Sequence, residues 1–149
     1  MPSPAFGFQS GNAAPGEADP RPVLLLIDDD PLVGRFIAHA GEACGYRAVR
    51  TTGVERFRSA YRTRTPDAVA VDLGLAGCDG IEIMRFLADV GCTVPVLVIS
   101  GFDRRVLEAS VRLGETLGLN MAGALEKPVL VHQLAERLGA RQPAAQAAG

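Results

Sequence analysis

The chain has 149 residues, a formal net charge of −2, 48% hydrophobic and 21% charged side chains. That balance suits one soluble domain with an ordinary core and speaks against a disordered or membrane-embedded polypeptide. Arginines and acids are dispersed, so no nucleic-acid surface is expected, and no apolar run approaches the roughly 20 residues that span a bilayer.

Residues 1–20, rich in Pro, Gly, Ala and Ser, read as a flexible leader without a secretory signal, and residues 141–149 as a flexible tail. A single domain is expected over 21–140. It opens with Val23-Leu24-Leu25-Leu26-Ile27, an apolar run suited to a strand buried on both faces, followed at once by Asp28-Asp29-Asp30-Pro31. Proline fits the first turn of a helix, which is expected over about 31–43 and closes near Cys44-Gly45. Asp30, just before Pro31, reads as the N-cap of that helix.

Arg47-Ala48-Val49-Arg50 predicts a short edge strand, and an Arg-rich amphipathic helix follows over about 53–63. Ala68-Val69-Ala70-Val71 is a second buried strand that ends in an acid, Asp72. Asp79-Gly80-Ile81-Glu82 has the form of a helix start, with the helix running to about 90. Val94 to Ile99 is a third buried strand, ended by Ser100-Gly101. A helix over 103–118 is expected to start at the capping residue Asp103 and to bury Val106, Ser110, Leu113 and Leu117. A weak strand at 122–125 and a helix from Val129 to Leu138 complete the series.

Cys44, Cys78 and Cys92 have no metal-type spacing and read as reduced thiols of a cytoplasmic protein, while His39 and His132 are isolated. Strands and helices in alternation predict a doubly wound α/β domain with a five-stranded parallel sheet. Ligands of such sheets bind beyond the carboxyl ends of the strands. The residues at those ends are Asp28, Asp29, Asp72, Ser100 and Lys127. Lys127 is the only lysine beside fourteen arginines, which points to a position needing a compact ammonium rather than a planar guanidinium. Clustered acids with a hydroxyl and an ammonium suit a phosphoryl group bridged to a hard cation such as Mg²⁺.

The order strand–Asp28-Asp29, strand–Asp72, strand–Ser100 and Lys127-Pro128 resembles the receiver domain of bacterial two-component response regulators. The resemblance implies a flavodoxin-like sheet of strand order 2-1-3-4-5. It implies Asp72 as phosphoacceptor, with Mg²⁺ held by Asp28, Asp29, Asp72 and the backbone carbonyl of Gly74. Ser100 and Lys127 would contact phosphoryl oxygens, and Pro128 would follow a cis peptide. The donor would be a sensor histidine kinase or a phosphotransfer protein, and the target a downstream effector. No activity beyond self-phosphorylation and self-dephosphorylation is implied. A homodimer through the 103–118 and 129–138 helices is compatible with the family.

The pattern also departs from the family. Ala124 stands where most receivers carry an aromatic residue, which calls the usual ring-swing readout into question. Ala76 replaces a frequent proline, and Gly74 with Phe102 occupies the positions that tune aspartyl-phosphate hydrolysis, predicting slow self-dephosphorylation. The long Ser100–Lys127 segment implies an extended fourth helix or loop. Gly118-Leu119-Asn120-Met121, with small residues at 122–124, is similar to receivers that precede EAL-type cyclic-di-GMP phosphodiesterase domains, although no such domain is expected here. Two competing readings are a phosphorylation-independent interaction scaffold and a haloacid-dehalogenase-like phosphohydrolase built on Asp28-x-Asp30.

Overall fold

A computed structural model describes residues 19–73, 79–101 and 104–139. Strands β1 (Val23–Ile27), β2 (Arg47–Thr51), β3 (Ala68–Asp72), β4 (Val96–Ser100) and β5 (Met121–Glu126) alternate with five helices. These are α1 (Pro31–Ala43), α2 (Val54–Thr63), α3 (Asp79–Asp89), α4 (Arg104–Thr116) and α5 (Val131–Leu138). The strands form one parallel sheet in the order β2-β1-β3-β4-β5, the flavodoxin-like arrangement expected. Among the described residues no helix is long and apolar enough to cross a membrane.

Side-chain alternation divides the core between the two faces of the sheet. Leu25, Ile27, Val69, Val71, Val96 and Val98 pack with Phe57, Ile83, Met84, Leu87 and Leu107 on the α2–α4 side. Leu24, Leu26, Ala70, Leu97 and Ile99 pack with Ile37, Tyr46 and Leu134 on the α1–α5 side. The three central strands are buried along their whole lengths. Continuous apolar runs that each end in a polar residue therefore carry their polar ends to one rim of the sheet.

Local chemistry fixes the element boundaries. The Asp30 carboxylate accepts from the Leu32 and Val33 amides and Pro31 opens the first turn, so Asp30 is the N-cap read from the sequence. At the other end of α1, Gly45 takes φ +97°, and the Tyr46 and Gly45 amides close back on Gly41 and Glu42. The Arg47 strand is an edge, as expected. On α2, Phe57 and Tyr61 face inward, while Arg58 and Arg62 lie over the Phe86 ring.

The buried face of α4 is a correction. Leu107 and Gly114 are the buried residues, with Val111 packed against the core; of the expected face Leu117 packs there too, whereas Val106 is 42% exposed. Adjacent Val106 and Leu107 let two helical phases fit the apolar pattern. Gly114 decides between them without contributing any hydrophobicity. A Cβ there would lie 2.2 Å from the Met121 sulfur, so α4 approaches β5 through a residue that counts as neutral in a pattern search. The readings placed on Gly74, Ala76, Cys78, Phe102 and Asp103 lie outside the described residues.

Candidate functional site

The carboxyl ends of β1, β3, β4 and β5 bring Asp28, Asp72, Ser100 and Lys127 to one rim. Asp28 is the first residue after β1, and its amide donates to the Thr51 carbonyl at 3.1 Å, which pins it to the end of β2. The Thr51 hydroxyl in turn donates to the Leu26 carbonyl at 2.9 Å. Asp28, Asp72 and Ser100 are all buried, an arrangement rarely tolerated unless the polar groups are paired.

Lys127 is the cation that pairs them. Its Nζ lies 2.9 Å from Asp72 Oδ2 and 3.4 Å from Asp28 Oδ2. Its backbone amide donates to the Ser100 carbonyl at 3.0 Å. The Lys127–Pro128 peptide is cis, as the resemblance implied. Burial alone would lower the Lys127 pKa. The hydrogen bond and charge of Asp72, with the charge of Asp28, outweigh that effect and raise it.

Asp28 carries the electrostatic cost. Its Oδ1 accepts from the Asp30 amide at 2.8 Å. Its buried Oδ2 accepts no hydrogen bond among the described residues and has only the Lys127 ammonium, 3.4 Å away, as an ionic neighbour. Burial, followed by the neighbouring Asp72 charge, pushes its pKa up to about 6, although the Asp30 amide and Lys127 pull the other way. Asp29 is exposed. Oxygen atoms of Asp28, Asp29 and Asp72 all lie within 4.8 Å of one another. An underpaired buried oxygen within an all-carboxylate donor set fits a hard divalent cation of the Mg²⁺ kind, which takes a few carboxylates and keeps water for its other positions. Asp30 takes no part in this set, because its carboxylate caps α1.

All five predicted side-chain positions therefore lie at one rim, with Asp29 on its solvent side. Gly74 lies outside the described residues. The sequence reading missed the apolar surface beside this rim. Leu32 and Phe36 of α1 are 72% and 53% exposed, and they border a groove of about 470 Å³ together with Val33, Ile37, Lys127, Pro128 and Val129. Its signal was present in Leu32 and Phe36, which share a helical face at i,i+4 spacing but were read only as part of a helix.

Comparison with known proteins adds a family. The model of the response regulator receiver domain matches residues 24–139. The transcriptional regulatory protein QseB of Escherichia coli O157:H7 is 34% identical over 117 residues, covering 78% of this chain and 51% of the relative. The response regulator MprA of Mycobacterium leprae is 32% identical over 121 residues, covering 78% and 49%. The chain thus spans about half the length of these two relatives, and 34% of the KDP operon transcriptional regulatory protein KdpE of Escherichia coli K12. Among solved structures, a sensor protein from Polaromonas sp. JS666 superposes with a TM-score of 0.68 at 26% identity, covering 80% of this chain and 94% of that one. A response regulator receiver protein from Burkholderia phymatum gives 0.64 at 29% identity, covering 83% and 99%.

Proposed function

The chain belongs to the response regulator receiver domain family, and from that membership we propose that Asp72 is the phosphoacceptor of a two-component pathway. The observation that carries this reading is the Lys127 ammonium, 2.9 Å from Asp72 in a cluster of three carboxylates at the sheet rim.

In the proposed reaction an Asp72 carboxylate oxygen attacks the phosphorus of a phosphohistidine or of a small acyl phosphate. The O–P bond forms as the bond from phosphorus to the donor breaks, and the leaving imidazole or carboxylate keeps the electron pair. Mg²⁺, held by Asp28, Asp29, Asp72 and the Gly74 carbonyl, would neutralise charge on the phosphoryl oxygens. Lys127 then exchanges its bond with the Asp72 carboxylate for one with a phosphoryl oxygen, and the Ser100 hydroxyl donates to another. Two observations support these roles: Lys127 lies 2.9 Å from Asp72, and Ser100 directly follows Ile99, the β4 register partner of Asp72. The modified residue adds charge of about −1.5 to −2, which these groups compensate. Slow self-dephosphorylation, from Gly74 and Phe102, belongs to the same proposal.

The donor is a sensor histidine kinase or a phosphotransfer protein, and the target is an effector engaged when the conformational balance shifts. A phosphohistidine must approach Asp72 from the open rim, and the apolar groove there shares Lys127 with the site. We assign that groove to the donor's phosphohistidine-bearing domain. Dimerisation through α4 and α5 also remains a proposal, tested by sedimentation before and after phosphorylation. The phosphohydrolase reading loses its support, because Asp30 is engaged as a helix cap and Lys127 pairs with Asp72.

The test is intact mass after incubation with acetyl phosphate and Mg²⁺. Wild type should gain one phosphoryl group and Asp72→Asn none. Equal labelling of both would move the phosphoacceptor elsewhere. No labelling by acetyl phosphate or by kinases, from folded protein that binds Mg²⁺, would favour the phosphorylation-independent scaffold.

A further inference from the structure

We propose that the cleft between α4, β5 and α5 binds a small organic anion with a flat apolar body. The cleft is open to solvent and has a volume of about 530 Å³, inside the range of about 300–1,000 Å³ usual for small-molecule sites. Its lining shares no residue with the acidic cluster. Leu107, Val111 and Ala124 give it an apolar floor, and Arg104, Arg112 and Arg137 surround that floor.

Two backbone features open this space. β4 and β5 pair Val96 with Met121 and Leu97 with Gly123, so Ala122 is an extra residue in an edge-strand bulge. Because of the bulge, Met121 and Ala124 pack on the α2–α4 side of the sheet, while Ala122 and Leu125 face the other way. Met121 packs against Gly114 of α4, and Ala124, which lines the cleft, carries only a methyl group. Gly123, at φ +121°, is the second feature: a Cβ there would stand 2.9 Å from Arg137 Nη1. Glycine both permits that backbone conformation and leaves the Arg137 guanidinium room to lie along the strand.

The charges at this cleft are uncommitted. None of Arg104, Arg112 and Arg137 forms an ion pair among the described residues, although Glu108 and Glu126 line the same cleft. Guanidinium groups grip carboxylate, sulfonate or phosphate oxygens in pairs and stack on planar rings. The two glutamates would accept from any N–H or O–H group on the ligand. A flat anion satisfies floor and rim together, whereas a bare inorganic anion leaves the floor wet.

The experiment is a two-dimensional amide NMR titration of the full chain with 2-naphthoate, and with inorganic phosphate as a charge-only control. Saturable shifts at Leu107, Val111, Gly123 and Ala124, with a Kd below about 5 mM and weaker binding of phosphate, are expected. Ala124→Phe, which fills the floor, should weaken naphthoate about tenfold or more. Arg137→Gln should weaken it by a similar factor, and Arg85→Gln on α3 should not. The proposal is overturned by absent saturation, by shifts centred on Leu32 and Phe36 instead, by phosphate binding equally well, or by undiminished affinity in Ala124→Phe. Should that variant lose its folded spectrum, the contrast between Arg137→Gln and Arg85→Gln decides alone, equal affinities overturning the site.

Discussion

Three consecutive aspartates have three separate fates, set by where the backbone leaves each carboxylate. Asp28 is buried against Lys127 and Asp72, Asp29 is exposed beside them, and Asp30 caps α1. The raised Asp28 pKa means that the folded state holds this proton more tightly than the unfolded chain does. Its contribution to stability is therefore full below pH ~4 and lost as pH rises through about 6. Asp28→Asn, which keeps an oxygen for the Asp30 amide, should stabilise the metal-free protein at pH 7 by about 1–3 kcal/mol. The same change should remove most of the thermal shift produced by Mg²⁺. Urea unfolding with and without Mg²⁺ checks both effects; a destabilised metal-free variant would contradict the assignment. Asp30→Ala provides the contrast, costing about 1 kcal/mol as a lost cap while leaving Mg²⁺ affinity nearly unchanged. A large loss of affinity in that variant, by calorimetric titration, would make Asp30 a ligand after all.

At the scale of elements, the central strands and the fold were legible because continuous apolar runs ending in an acid or a serine have few other interpretations. Lys127 was legible for a different reason: it is the only lysine in an arginine-rich chain. The phase of α4 and the bulge in β5 were not legible, since both depend on glycines at close approaches. Gly114 admits Met121 and Gly123 admits Arg137, and neither contact has a hydrophobic or charge signature at the glycine itself. The exposed stripe of α1 was hidden for the opposite reason. Leu32 and Phe36 look like core residues in a sequence and are classed otherwise only once α5 leaves them uncovered.

For the whole molecule, the question is how a partner reaches the rim. If the groove of α1 and the β5–α5 connection receives the phosphodonor domain, Phe36→Ser should slow phosphotransfer from a cognate kinase about tenfold or more, the scale of one lost interface anchor. Labelling by acetyl phosphate should be unchanged, and the fold should be little affected because Phe36 is half exposed. Equal slowing with both donors would place Phe36 in the chemistry or the fold rather than in docking. The bond from the Lys127 amide to the Ser100 carbonyl has a wider consequence. It extends the ladder between β4 and β5 by one rung, so the hydroxyl and the ammonium ride on a single stiff jaw that faces the carboxylates on β1 and β3. Such a jaw cannot tighten at Ser100 without carrying Lys127, and with it the strand that floors the α4–α5 cleft. If Asp72 is phosphorylated as proposed, any pull of the phosphoryl group on Ser100 would be shared with Lys127 and felt at the far edge of the sheet.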